Sequence, residues 1–149
     1  MRAKNLEDVV VYRKAMDATV AISAVLERPS VRNDYDIWNQ LGRSSGSVGP
    51  LIAEGFGQVT DRHFASYLGR ARGSALETCA QLDRAHRKKY ISQTELNQLS
   101  ALYIEILKML TPWINYLYRC DWKDRGQPPG EEPERTESGD RPPPDWRPD

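Results

Sequence analysis

Residues 92–117 read SQTELNQLSALYIEILKMLTPWINYL, and this stretch decides the fold. Leu96, Leu99, Tyr103, Ile106, Leu110, Trp113 and Leu117 recur at alternating steps of three and four. Residues three and four apart share one face of a helix, so the pattern draws a continuous apolar stripe along a long helix. Ser92 and Glu95 fit the S-x-x-E capping box, which places the helix start beside them.

The same spacing appears in three stretches upstream. Val11, Ala15, Ala18, Ile22 and Val25 form one stripe, with Asn5 as the expected N-cap and Pro29 as the stop. Trp38, Leu41, Ser45, Val48 and Ile52 form the next, opened by Asn33 or Asp34 and closed near Gly55 and Gly57. Phe64, Leu68, Ala71, Ala75, Thr78, Leu82 and Ala85 form the third, capped by Thr60 or Asp61. The spacing predicts helices over about 5–28, 34–57, 61–88 and 93–120, and no stretch alternates as a strand does. Short connections favour antiparallel neighbours, so the expected fold is all-α, an antiparallel up-down-up-down four-helix bundle. Pro50 and Pro112 fall inside the second and fourth helices, where each removes a backbone hydrogen bond.

The chain divides in composition. Residues 124–149 hold seven of the ten prolines, and Trp146 is their only large apolar residue. Such a segment buries too little apolar surface to offset the entropy of ordering, so a disordered tail is expected after a bundle domain over residues 1–123. The zero net charge conceals a matching split. Residues 1–123 carry 17 Lys and Arg against 13 acids, and residues 124–149 carry 4 Arg against 8 acids. A mildly basic body suits an anionic partner, and the acidic tail can compete for the same surface. Cys79 and Cys120 form no CxxC pair and read as free thiols, which points to a cytoplasmic protein. No apolar run approaches the length of a membrane span.

Catalytic chemistry finds no support in the residues. His63 and His86 lie 23 positions apart, outside any metal-binding helical pair. Gly55-Phe56-Gly57 lacks the third glycine of a dinucleotide loop and has no strand before it. No catalytic, cofactor-binding or metal-ligating residue is therefore expected, and the chain reads as non-enzymatic. Arg43 and Glu54 stand eleven apart, close to three full turns, and are expected to form a structural ion pair on one face, within or between subunits. Arg62, Arg70, Arg72, Arg84, Arg87, Lys88 and Lys89 face only Glu77 and Asp83 over the same span. They make the candidate nucleic-acid-binding face, of the kind that holds phosphates without reading bases. Small residues of the second and third helices, with apolar Val9, Val10, Leu102 and Ile104 off the stripes, suggest surfaces that another copy would cover.

The run Gln40-Leu41-Gly42-Arg43-Ser44-Ser45-Gly46-Ser47-Val48, followed by Ile52-Ala53-Glu54-Gly55-Phe56-Gly57, resembles a known signature. It is that of the four-helix-bundle family encoded by intervening sequences of bacterial large-ribosomal-RNA genes. Leu6-Glu7-Asp8 through Ala15, and residues 64–82 (FASYLGRARGSALETCAQL), are similar to its first and third helices. The resemblance spans roughly residues 5–118 and departs from the family pattern at Gly42 and at Gly49-Pro50-Leu51. It implies an up-down bundle without enzymatic activity that forms homo-oligomers, commonly pentamers. A related bundle is an accessory protein of the reverse transcriptases of diversity-generating retroelements and binds both nucleic acid and polymerase. The function expected here is an oligomeric, nucleic-acid-binding accessory factor acting with a ribonucleoprotein or a reverse transcriptase on RNA or DNA. The alternative is an oligomeric protein-interaction scaffold without nucleic-acid contact.

Overall fold

The computed structural model describes residues 3–124 of the chain, with side chains to residue 120. After a 3₁₀ turn at Leu6–Asp8 come α1 (Val10–Leu26), the single turn α2 (Pro29–Arg32), α3 (Tyr35–Phe56), α4 (Asp61–Arg87) and α5 (Gln93–Asp124). Among the described residues there is no strand. The α3 and α4 helices pack along their lengths, as do α4 and α5, and α1 closes the ring against α3 and α5. Cross-contacts fix the directions: Lys14 meets Glu105 while Arg28 meets Glu95, and Arg43 meets Glu77 while Arg84 meets Asp36. Neighbouring helices thus run antiparallel, up-down-up-down. The disordered tail expected over residues 124–149 lies outside the described residues from residue 125 on; Asp124, its first residue, instead ends α5.

Local chemistry explains where the helices start. The Thr60 side chain accepts from the His63 amide, and the Asp34 carboxylate from the Ile37 amide. Ser92 and Glu95 close the reciprocal capping box, each side chain accepting from the other's amide at 3.1 Å. The first helix departs from expectation. Asn5 opens only the 3₁₀ turn, its amide donating to Asp8 Oδ2, and Val9 then adopts extended backbone with ψ 101 before α1 begins at Val10. The β-branched run Val9-Val10-Val11 favours that break, since its side chains are stiff at χ1. Pro29 does end α1, yet it also sits at the first position of α2, where its missing amide costs nothing.

The core follows the four stripes with one shift. Every stripe residue of α1 and α4 is buried, and Tyr103, Ile106, Leu110, Trp113 and Leu117 of α5 are buried too. In α3 the top of the stripe is Ile37, fully buried, whereas Trp38 is 41 % exposed. The row that faces inward begins with Ile37 and Leu41, four apart, so Trp38 lands one step round the helix. Val9 is likewise buried and Val10 is half-buried against the core, whereas Leu102 and Ile104 stay exposed.

Two details set how closely the helices approach. A Cβ on Gly55 would lie 2.8 Å from Tyr67 Cβ and 2.9 Å from Phe64 Cδ2, so this glycine lets the end of α3 touch the first turns of α4. Phe64 then stacks edge-on against Trp113 of α5 at 4.9 Å. A polar layer crosses the middle of the bundle. Thr78 Oγ1 donates within 3.1 Å of Ser44 Oγ, and Thr19 Oγ1 bonds the Ser45 carbonyl at 2.9 Å. Tyr103, wholly buried, faces Thr19, but its hydroxyl makes no hydrogen bond of normal geometry, and burial pushes its pKa well up.

Candidate nucleic-acid interface

The seven cations chosen from the sequence all fall on or just beyond α4, spread over about 38 Å of helix at 1.5 Å per residue. The structure divides them into two groups. At the end of α4 three of them are neutralised inside the subunit. Arg84 reaches Asp36 at 2.6 Å, Arg87 reaches Asp83 at 2.8 Å, and Lys88 reaches Asp34 at 2.5 Å. Asp34 also accepts from the Tyr90 hydroxyl at 2.8 Å. The Lys88 ammonium and that hydroxyl hold the Asp34 carboxyl at about 2, well below its ordinary 3.8. Lys88 and Arg87 are raised in turn by the acids that they bond.

Lys89 serves the backbone. Its φ of 64 lies in the left-handed region, the Tyr90 amide bonds the Ala85 carbonyl, and the Lys89 amide bonds the His86 carbonyl. This is the Schellman closure, which usually employs glycine at that position. The turn is tied further by Arg28, whose guanidinium forks onto Glu95 and bonds the Tyr90 carbonyl. That guanidinium and the Ser92 amide hold Glu95 at about 2. The cluster at residues 84–89 is therefore mainly a clasp joining the α1–α3 connection to the α4–α5 turn. Sequence spacing missed it because the acids Asp34 and Asp36 come from another helix and are about 50 residues away in sequence.

The other group lies open. Arg62 is exposed and has no acidic partner among the described residues. The Arg70 guanidinium sits 5.3 Å over the Tyr67 ring, and Arg72 Nε donates to Thr111 Oγ1 of α5 at 3.0 Å. Neither contact cancels a charge. No acid occurs in residues 62–76 of α4 or in residues 106–120 of α5. Exposed Lys108, not among the seven cations, lies in the acid-free stretch of α5, three residues before Thr111, the partner of Arg72. The signal that could have found it is the absence of Asp and Glu over those two stretches. Gly69 and Gly73 keep the centre of the face low, with nothing within 4 Å of where a Cβ would stand.

The expected Arg43–Glu54 pair does not form within the subunit. Arg43 bonds Glu77 of α4 at 2.7 Å and Gln40 at 2.8 Å, and Glu54 is exposed. Eleven residues bring two side chains to one helix face but also separate them by about 16 Å along the axis, too far for a hydrogen bond.

A family model described as the 23S rRNA-intervening sequence protein matches residues 7–112. The chain belongs to that family. The match covers the four long helices up to Pro112, and so includes both the α4 cations and the close approach at Gly55. The fold is also that of a crystallised protein of unknown function from the S23 ribosomal protein family of Bacteroides thetaiotaomicron. That structure aligns with a TM-score of 0.66 and 24 % identity, covering 70 % of this chain and 98 % of its own. No curated protein matches the chain. Among the described residues of this intervening-sequence protein, no helix is long and apolar enough to cross a membrane.

Proposed function

We propose that this intervening-sequence protein is a cytoplasmic, non-enzymatic homo-oligomer that binds nucleic acid without sequence readout, through the open half of α4 and the neighbouring turn of α5. The observation that carries this reading is the run of α4 from residue 62 to 76 without Asp or Glu, which holds Arg62, Arg70 and Arg72 beside the acid-free stretch of α5 that holds Lys108. Guanidinium groups suit phosphate oxygens because their donors form a planar fork. Four cations per subunit give weak binding, and repeating them around a five-membered ring, which the family resemblance favours, raises avidity without new contacts. An accessory role beside a ribonucleoprotein or a reverse transcriptase fits such a surface. The face offers arginines and small residues rather than a row of amide side chains, which suits backbone contact over base recognition.

The test is retention of the intact protein on immobilised RNA and on heparin across a salt gradient. Phosphate contacts release counterions, so affinity must fall steeply as salt rises. Retention that is absent, or indifferent to salt, removes the proposal. One observation favours the scaffold alternative: Met16, Val20, Tyr35 and Trp38 leave apolar surface on α1 and α3, away from the cationic face. A protein partner would use that side.

A further inference from the structure

Arg70 and Arg72 diverge to opposite flanks of α4. The Arg70 guanidinium lies over Tyr67, which packs against Gly55 of α3, so it sits on the α3 side. Arg72 Nε donates to Thr111 Oγ1 of α5, and exposed Lys108 stands one turn from Thr111 on that same helix. Between the two flanks the exposed crest of α4 runs through Ser66, Gly69 and Gly73, with nothing within 4 Å of a Cβ built on either glycine. We infer that the nucleic acid recognised here is double-stranded RNA. The crest of α4 lies against its minor groove, with Arg70 on the phosphates of one strand and Arg72 and Lys108 on those of the other. This rests on the proposed function and names the ligand of that same face.

The face lacks what an unpaired strand requires. Proteins hold single strands by stacking their bases on exposed aromatic rings. No Phe, Tyr or Trp is exposed in residues 62–76 or 104–115: Phe64 and Trp113 are buried, and Tyr67 is half-buried beneath Arg70. The exposed rings of Tyr35 and Trp38 stand on α3 instead. Groove shape decides between the duplexes. A helix with its side chains is about 10–12 Å across, so cations on its two flanks are too far apart for the B-DNA minor groove, about 6 Å wide. The B-DNA major groove is about 8.5 Å deep, and α4 cannot sink into it while α3 and α5 pack along its sides. A-form RNA offers a wide, shallow minor groove displaying 2′-hydroxyls. A low crest fits that groove, and the exposed Ser66 hydroxyl is free to pair with a 2′-hydroxyl there. Phosphate contacts beside a crest without long polar side chains carry no base readout, in keeping with binding that ignores sequence.

The experiment measures the affinity of the full-length protein for three probes of equal length at one salt concentration: an RNA duplex, a DNA duplex and an unstructured single-stranded RNA. The expected result is that the RNA duplex binds about tenfold tighter than either of the others, because only it presents the shallow groove. A Gly69→Gln, Gly73→Gln variant keeps every cation but raises the crest, and replacing helix-interior glycines does not weaken the helix. With circular dichroism showing that variant folded, its preference for the RNA duplex should fall to about twofold or less. Equal affinity for the three probes, or a preference for either of the other two, would overturn the inference and leave the proposed function standing. A preference for the RNA duplex that survives both glycine substitutions would overturn the placement of the crest in the groove. Absence of binding to all three probes would remove the proposed function and the inference with it.

Discussion

Lys88 Nζ lies 2.5 Å from Asp34 Oδ2, so the cation that ends α4 is committed to the residue that caps α3. One carboxylate thereby performs two tasks, accepting from the Ile37 amide at the helix start and from an ammonium on another helix. The electrostatics of this end of the bundle serve the fold, whereas Arg62, Arg70 and Arg72 make no ion pair among the described residues.

Changing Asp34 to Asn should separate these roles. The cap is kept, because Asn and Asp cap helices about equally well, but the carboxylate charge is lost and Lys88 is released to solvent. The melting temperature should fall while retention on heparin rises. A variant with unchanged retention would show that Lys88 is already available to a polyanion.

Acid sensitivity should arise from the same clasp. Asp34 and Glu95 are both held at about 2, below their ordinary 3.8 and 4.5. A depressed carboxylate stabilises the fold above its unfolded value and loses that contribution as pH falls toward its folded value. Stability should therefore decline between about pH 4.5 and 2. Thermal melts across that window should give a flatter profile for the Asp34→Asn, Glu95→Gln double variant than for the parent. Equal slopes would place the acid-labile groups elsewhere.

Much of this architecture was legible in the sequence. The stripes of α1 and α4, the Thr60 cap and the Ser92/Glu95 box follow from contacts within one helix, which spacing encodes directly. What spacing does not encode is a partner on another helix. Arg43 chooses Glu77 over Glu54, and Arg84 and Lys88 choose Asp36 and Asp34, because antiparallel packing brings those acids alongside. Trp38 and Ile37 are adjacent and both apolar, so only the start of α3 decides which one turns inward. Of the seven cations picked out by spacing along α4, three are therefore held by acids inside the subunit.

Lys89 should prefer to be glycine. An L-residue in the left-handed region is strained by about 1 kcal/mol, and glycine is not. Lys89→Gly should raise the unfolding free energy by about that amount in a denaturant titration and leave RNA retention unaltered. A loss of stability would mean that the Lys89 side chain has a structural task outweighing the strain.

Gly46 and Gly55, two of the four glycines of α3, should respond in opposite senses to alanine. At Gly55 the new methyl meets Tyr67 and Phe64, and overpacking of this kind costs about 1–3 kcal/mol. At Gly46 nothing lies within 4 Å, and removing a helix-interior glycine should gain about 0.5–1 kcal/mol. Urea unfolding of both variants checks the pair; a neutral Gly55→Ala would mean that α4 can draw back from α3.

Removing the Tyr103 hydroxyl should not harm the protein. A buried hydroxyl without a well-formed hydrogen bond costs about 1 kcal/mol or more, and phenylalanine fills the same space. Tyr103→Phe should melt at the same or a higher temperature. A clear drop would reveal that the contact with Thr19 holds the middle of the bundle together.

The most direct measurement compares two charge reversals in the full-length protein on an RNA column with a salt gradient. Arg62→Glu, Arg70→Glu and Arg72→Glu together should abolish salt-sensitive retention, while circular dichroism shows the helices intact. Arg87→Glu, on the neutralised end of the same helix, should elute close to the parent. Retention that survives the triple reversal, or that is lost only with Arg87→Glu, would contradict the assignment of the open half of α4 as the nucleic-acid face.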